Sequence, residues 1–150
     1  MPKTVKDYVF VGAQLLLFVL FTFQNNPWII SFPRAVRHAG IVASLIGVVM
    51  VFWAIIQLRP SLSIFPTPIP GGKLITSGIY ARFRHPIYSG LIIAMLGYAI
   101  TSQSGFRLGI VVALFLLFWL KARYEESRLS QTFDGYEQYK KTSWMFFPGF

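Results

Sequence analysis

The sequence predicts an all-α integral membrane protein with four transmembrane helices, and its composition and patterning are the reasons. Hydrophobic residues make up 55% of the 150 residues, and charged residues only 13%. A soluble domain of this length has too small an interior to bury so much apolar surface. The apolar residues also form long runs between segments rich in proline and glycine, which is typical of helices whose solvent is lipid.

Residues 1–57 are predicted to hold the two N-terminal spans. The first covers residues 8–23, and residues 24–27 should end it because Pro27 cannot continue the helical hydrogen-bond ladder. No small-residue cleavage site follows this run, so we interpret it as an uncleaved anchor. The second span covers residues 39–57, and small residues recur on it at helical spacing: Gly40, Ser44 and Gly47. Such residues let another helix approach closely.

Residues 58–85 form a Pro/Gly-rich loop, because four prolines and the pair Gly71-Gly72 exclude a continuous helix. Pro86 suits the first turn of a third helix, where its missing N–H costs nothing. Residues 86–132 are predicted to form a short helical hairpin, and nothing breaks its second helix before Thr132. Residues 133–150 alternate aromatic and charged side chains, which is typical of an amphipathic interfacial tail or of a lid. The whole chain is predicted to be a single membrane domain.

The basic residues predict the orientation of the chain in the membrane. Arg34, Arg37 and Arg107 fall on one side of the predicted spans. The other eleven of the fourteen basic residues fall on the opposite side: Lys3, Lys6, Arg59, Lys73, Arg82, Arg84, Lys121, Arg123, Arg128, Lys140 and Lys141. Cytoplasmic segments carry the excess of lysine and arginine. We therefore expect both termini and the central loop in the cytoplasm, with the protein in the inner membrane.

Composition also excludes several classes of function. The net charge of +9 is spread beside the apolar runs instead of forming a patch, which argues against nucleic-acid binding. The absence of cysteine excludes disulfides, thiolate metal ligands and thiol nucleophiles. Two histidines with only five acidic residues do not make a convincing metal site.

Two polar clusters fall on the same predicted face. One is residues 77–90, with Arg82, Arg84 and His85 before the third helix; the other is Glu125-Glu126, near the end of the fourth. The arginines could simply reach lipid headgroups. The glutamates could pair with basic residues of their own helix, namely Lys121, Arg123 and Arg128. The functional interpretation is that the two clusters form one cofactor site, whose carboxylates bind an ammonium group or ribose hydroxyls.

Five segments in order carry a family resemblance: residues 73–80, residues 84–90, Glu125-Glu126 followed by Leu129 and Phe133, the pair Tyr136 and Tyr139, and Pro148. This order resembles the isoprenylcysteine carboxyl methyltransferase family and its bacterial and archaeal relatives, which include phospholipid N-methyltransferases. The resemblance implies S-adenosylmethionine as the cofactor, a site at the cytoplasmic membrane face, and a lipophilic small molecule or a lipid as the methyl acceptor. No metal is implied, and the other expected partners are membrane lipids.

The resemblance also implies roles for individual residues. Arg84 matches the family arginine near the transferred methyl, so it is the predicted catalytic residue. The predicted cofactor-binding residues are Tyr80, His85, Pro86, Tyr88, Gly90, Glu125, Glu126, Tyr136 and Tyr139. The family often carries an arginine between the last tyrosine and the terminal proline; here that interval has Lys140 and Lys141 instead, so the identity of the acceptor stays open.

Two other functions remain alternatives. Sterol reductases carry a similar Arg-His-Pro and tyrosine pattern and use NADPH, although this chain is short for their additional helices. The Glu125-Glu126 pair also suits a cofactor that bears an ammonium group better than an anionic dinucleotide. The second alternative is a non-catalytic membrane scaffold, in which both glutamates would only form ion pairs.

Overall fold

A computed structural model describes residues 2–23 and 28–149, and its regular elements are all helical. The α-helices are α1 (Val5–Thr22), α2 (Arg34–Leu58), α3 (Pro86–Thr101), α4 (Gly105–Thr132) and α5 (Tyr136–Thr142). Two short 3₁₀ helices, Arg59–Ser61 and Gly78–Ala81, lie in the loop between α2 and α3. The all-α prediction is confirmed for these residues. The predicted helix end at residues 24–27 lies outside the described residues.

Two predicted helix boundaries hold and two were wrong. α3 begins at Pro86, and α4 continues unbroken to Thr132, both as predicted. α2 begins at Arg34, five residues before the predicted span at residue 39. The apolar run marks only the part of the helix that faces lipid, and the polar first turn precedes it. α1 begins at Val5 because the buried carboxylate of Asp7 accepts a hydrogen bond from the backbone N–H of Thr4 (2.6 Å) and stabilises the first turn.

Three helices of the described part are long and apolar enough to cross a membrane, one fewer than predicted: α1, α2 and α4. α3 has 16 residues, which reach about 24 Å against a hydrocarbon core of ~30 Å. α4 has 28 residues and extends over about 42 Å. Its last turns, which carry Glu125 and Glu126, therefore project past the layer that its apolar part can span.

α3 packs closely against α2 through small residues, as the spacing of Gly40, Ser44 and Gly47 predicts. Gly47 lies against the backbone of Gly90, and Gly40 lies against the backbone of Gly97. The Ser44 hydroxyl donates a hydrogen bond to the carbonyl of Ala94 at 2.9 Å. This contact fixes where α3 begins relative to the end of α2.

The α2–α3 contact makes Gly90 a sensitive position. A Cβ atom at residue 90 would lie 2.8 Å from the carbonyl oxygen of Gly47, whereas a Cβ at Gly109 of α4 meets nothing within 4 Å. We expect Gly90→Ala to lower the free energy of unfolding by about 1–3 kcal/mol through overpacking. Gly109→Ala should raise it by about 0.5–1 kcal/mol, because alanine is the better helix former. Thermal unfolding of both variants in one detergent checks the opposite signs.

The central loop and the C-terminal tail (residues 133–150) meet at one end of the helix bundle. Three backbone hydrogen bonds join them: Trp144 to the Arg82 carbonyl, Arg84 to the Trp144 carbonyl, and His85 to the Met145 carbonyl, at 2.8–3.1 Å. The side chain of Phe146 is buried in the apolar core with Phe118 and Leu114 of α4.

The start of α1 reaches the same end of the bundle. The carboxylate of Asp7 accepts hydrogen bonds from the backbone N–H (3.0 Å) and the hydroxyl (2.8 Å) of Thr67 in the central loop. The parts of the chain that carry the predicted site residues are therefore brought together at this end by the fold.

Candidate active site

A cavity of about 280 Å³ lies between the central loop, the start of α3, the end of α4 and α5. Most of its lining is apolar, with leucine and isoleucine side chains from the loop and from α2. Eight of the ten predicted site residues line it: Tyr80, Arg84, His85, Pro86, Tyr88, Glu125, Tyr136 and Tyr139. Residues up to 59 positions apart in the sequence thus converge on one space.

The other two predicted residues lie outside the cavity lining. Glu126 does not line the cavity; its carboxylate pairs with Arg84 and His85, which do. Gly90 lies in the contact between α2 and α3, against Gly47 and Val51. Its small size is needed for helix packing, so the structure gives no sign that it contacts a ligand.

The side chain of Arg84 joins α4 to the C-terminal tail. Its Nε donates to Glu126 Oε1 at 2.7 Å, and its Nη1 donates to the carbonyls of Lys140 (3.2 Å) and Ser143. His85 Nε2 lies 3.2 Å from the same oxygen of Glu126. Glu126 therefore pairs with residues of the preceding loop and not with the basic residues of its own helix, so this alternative was wrong for Glu126.

Glu125 has fewer protein partners than Glu126 and faces the cavity. Its Oε2 accepts a hydrogen bond from the Tyr88 hydroxyl at 2.9 Å, and His85 Nδ1 is 3.9 Å from the same oxygen. The Glu125 side chain is 25% exposed, against 7% for Glu126. Glu125 is thus the carboxylate that a ligand in the cavity can reach, while Glu126 is committed to the protein.

The ring of Tyr88 holds this arrangement rigid. It stacks on the His85 ring, with centroids 5.4 Å apart, and on the Phe118 ring at 4.7 Å. Stacked aromatic pairs of this kind each contribute about 0.5–1.5 kcal/mol beyond the area that they bury. The hydroxyl that donates to Glu125 is therefore held in place by the apolar core.

Three tyrosines line the cavity near the tail: Tyr136 and Tyr139 of α5, and Tyr80 of the central loop. The Tyr139 hydroxyl donates to the carbonyl of Tyr80 at 2.5 Å, and burial raises the pKa of Tyr139 to about 12. Burial, together with the charges of Glu126 and Glu125, raises the pKa of Tyr136 further. Both hydroxyls therefore keep their protons at neutral pH.

The hydroxyl of Tyr136 stands apart from the other two. The residue is 1% exposed, and its hydroxyl has no hydrogen-bond partner in the described part of the protein. An unsatisfied buried polar group costs about 1–3 kcal/mol, so such groups in native proteins call for an explanation. A ligand in the cavity that Tyr136 lines would supply the missing partner.

Sequence reasoning missed two polar residues at this end of the bundle. Lys121 lines the cavity and donates to Gln14 Oε1 at 2.6 Å and to the Ile64 carbonyl at 3.1 Å. The polar Gln14 inside an apolar helix was a signal that such a partner exists. Asp7 was missed although the pattern Thr4-x-x-Asp7 is typical of a capped helix start; no local pattern indicates its bond to Thr67.

No group of His, Asp or Glu side chains in residues 2–23 and 28–149 is placed to hold a metal ion.

Comparison with known proteins agrees with this geometry. The family model described as phospholipid methyltransferase matches residues 36–135. A solved structure of the eukaryotic intramembrane Ras methyltransferase, an isoprenylcysteine carboxyl methyltransferase, superposes with a TM-score of 0.61 at 21% sequence identity. The alignment covers 99% of this chain and 55% of that one, so this chain spans about half the length of that enzyme. A comparison with curated proteins gave no match.

These two findings have different weight. At this low identity the structural likeness shows a shared fold, in agreement with the predicted helical membrane architecture. The family match covers about two thirds of the 150 residues, including the start of α3 and the glutamate pair. The predicted resemblance to membrane methyltransferases is thereby confirmed, and the chain belongs to the phospholipid methyltransferase family.

Proposed function

We propose that this protein transfers a methyl group from S-adenosylmethionine to a lipophilic small molecule or a lipid at the cytoplasmic face of the inner membrane. Membership in a methyltransferase family supports this proposal. The observation that carries it is the pairing, in one cavity, of a carboxylate open to ligands (Glu125) with a buried hydroxyl that has no partner among the described residues (Tyr136).

The residues of the cavity fit this cofactor. Glu125 would hold its ammonium group through a charge-assisted hydrogen bond, and the Tyr136 hydroxyl would bind one of its polar atoms. The apolar side chains of Leu129 and Phe133, which also line the cavity, would contact its less polar parts. When bound, the cofactor supplies a methyl group on a positively charged sulfur.

The remaining work of the protein is to position groups and to exclude water. An anionic acceptor that attacks a sulfonium group loses charge on the way to the transition state, so exclusion of water by an apolar wall favours the reaction. In-line positioning of the two reactants lowers the barrier further. The helices can admit a lipophilic acceptor from the surrounding lipid.

For Arg84 we propose a positioning role. Its recorded hydrogen bonds run to Glu126 and to two carbonyls around α5, so it holds the tail and the glutamate in place. It also lines the cavity, and its predicted catalytic role near the transferred methyl stays a prediction.

The alternatives fit the cavity less well. The carboxylate of Glu125 attracts an ammonium group, which S-adenosylmethionine has and NADPH lacks. A scaffold without a ligand leaves the buried Tyr136 hydroxyl unexplained.

Ligand titration separates the three functions. Thermal unfolding of the protein in dodecyl maltoside is measured with increasing S-adenosylhomocysteine and, separately, with NADPH. A bound ligand at one hundred times its Kd adds about 2.7 kcal/mol to the stability of the folded state. We expect stabilisation by S-adenosylhomocysteine alone. Stabilisation by NADPH alone would support a reductase, and no response to either ligand would support a scaffold.

We also propose that the site faces the cytoplasm, which the cation count supports. The chain has no cysteine, so single cysteines report sidedness without a background. In inverted inner-membrane vesicles a membrane-impermeant maleimide should label Lys141→Cys, in the tail, and should leave Arg34→Cys, at the start of α2, unlabelled. The reverse labelling pattern would place the site on the other face.

A further inference from the structure

The side chain of Lys121 is a buried cation that makes no ion pair with a described residue, although the charges of Glu125 and Asp7 act on it from a greater distance. The residue is 2% exposed, and the ion pairs of the described residues do not include it. Its Nζ donates to two neutral oxygens, those of Gln14 and Ile64, and lies 5.3 Å from the centre of the Tyr88 ring. Lys121 lines the same cavity as Glu125.

The charges of Glu125 and Asp7 compensate this burial only from beyond ion-pair distance. The desolvation of an ammonium group costs several kcal/mol, and only an anion nearby repays most of it. A lysine has three protons to donate, and the two recorded hydrogen bonds use two of them. One N–H of Lys121 therefore has no hydrogen-bond acceptor among the described residues, and a ligand in the cavity that Lys121 lines could supply one.

The position of Lys121 relative to Glu125 defines what that ligand would contact. The two residues are four positions apart on α4, which corresponds to a rise of about 6 Å along the helix. The cavity thus has a carboxylate and an ammonium group one turn apart on the same wall. Lys140 and Lys141 do not take this place, because neither lines the cavity and Lys140 pairs with Glu137 at 3.5 Å.

We propose that Lys121 binds an anionic carboxylate or phosphate group of the methyl acceptor and so selects anionic acceptors over neutral ones. This inference rests on the proposed methyltransferase function. In this assignment Lys121 binds the anionic group of the acceptor, and Glu125 binds the ammonium group of the cofactor.

The test uses three amphiphiles with the same chain: decyl phosphate, decanoate and decanol. Each is titrated by calorimetry into the full-length protein in dodecyl maltoside, saturated with S-adenosylhomocysteine. We expect the wild-type protein to bind one of the two anions at least about tenfold more tightly than decanol. The stronger of the two identifies the acceptor class as a phosphate or a carboxylate.

The variant Lys121→Gln keeps a hydrogen-bond donor but removes the charge. It should reduce the preference for the anion to less than about twofold while the affinity for S-adenosylhomocysteine stays the same, which also shows that the variant is folded. Lys141→Gln, at an exposed position, is the matched control and should keep the full preference.

Several results would overturn the inference. These are an unchanged anion preference in Lys121→Gln, equal binding of all three amphiphiles by the wild type, or a large loss of affinity for S-adenosylhomocysteine in Lys121→Gln, since the cofactor carboxylate would then be the partner. Equal binding of the three amphiphiles by the wild type would overturn the inference even if the variant does not fold. Absence of S-adenosylhomocysteine binding by the wild type would instead reject the proposed function.

Discussion

Replacing Glu125 with glutamine is expected to weaken binding of S-adenosylhomocysteine by about 10- to 100-fold while the fold stays intact. A hydrogen bond to a charged group contributes about 1.5–3 kcal/mol, and glutamine removes the charge that would attract the ammonium group. In the wild-type protein the Tyr88 hydroxyl donates a hydrogen bond to Glu125 Oε2 at 2.9 Å. The amide oxygen of the glutamine can still accept this bond. Calorimetric titration of the purified protein measures the change directly.

The matched control is Glu137→Gln. Glu137 is also a glutamate of the cavity end of the protein, but its side chain is 64% exposed and bonds to Ser130 and Lys140. Removing its charge should leave the affinity for S-adenosylhomocysteine unchanged. If Glu125→Gln binds as tightly as the wild type, Glu125 does not hold the ammonium group and the assignment of the cofactor site is wrong.

Replacing Arg84 with alanine is expected to cause the largest loss of stability. The change removes one of the two partners of Glu126 and leaves His85 as the other, at 3.2 Å. The exposed fractions of the Arg84 and Glu126 side chains are only 10% and 7%. Removing one member of a buried pair costs about 3–5 kcal/mol because the other charge stays buried. For a chain of this size the melting temperature should fall by on the order of 10 °C, which thermal unfolding in detergent measures.

The same change should also release the C-terminal tail. Arg84 binds the carbonyls of Lys140 and Ser143, so cleavage of the tail by a protease should become faster in Arg84→Ala. Arg82→Ala is the control: its side chain is exposed, and its backbone carbonyl, which binds Trp144, is retained. An Arg84→Ala protein with an unchanged melting temperature and an unchanged tail would show that this ion pair does not hold the tail.

The pairing of Glu126 illustrates what sequence reasoning could not decide. On a helix, Lys121, Arg123 and Arg128 are the nearest cations in the sequence, so local rules favour them. The partners in the structure, Arg84 and His85, are forty or more positions away. They reach Glu126 because glycines let α3 pack against α2 and because the tail is hydrogen-bonded to residues 82–85. Contacts of this kind depend on packing between helices, for which a single sequence has no local signal.

Gly90 and Lys121 also show that a single sequence does not tell which side chains face the cavity. Gly90 was predicted to be in the site but lies outside the cavity lining, whereas Lys121 was not predicted to be there and lines the cavity. Gly90 was predicted to contact the cofactor because it belongs to the segment of residues 84–90 that resembles the methyltransferase family. A helix turns its residues to different sides, and Gly90 faces α2. Lys121 was predicted to help set the orientation of the chain and to be a possible partner of the glutamate pair, but not to line a cavity. Whether a lysine near a helix end reaches solvent or enters a cavity depends on the neighbouring elements, here Gln14 of α1 and Ile64 of the loop.

The sequence by itself determined the elements of this protein. Apolar runs can be stable in lipid only as helices whose backbone hydrogen bonds are satisfied internally, and prolines and glycines mark where those helices stop. The order of the Arg84–Gly90 segment, the glutamate pair and the two tyrosines also determined the family. The roles of the site residues follow from the packed structure alone. Glu126 holds Arg84, Glu125 faces the cavity, Lys121 is buried, and the Tyr136 hydroxyl has no partner in the part of the chain that the structure describes. The physical reason is that burial and hydrogen bonding are properties of the packed chain, and side chains with the same chemistry differ only in what surrounds them.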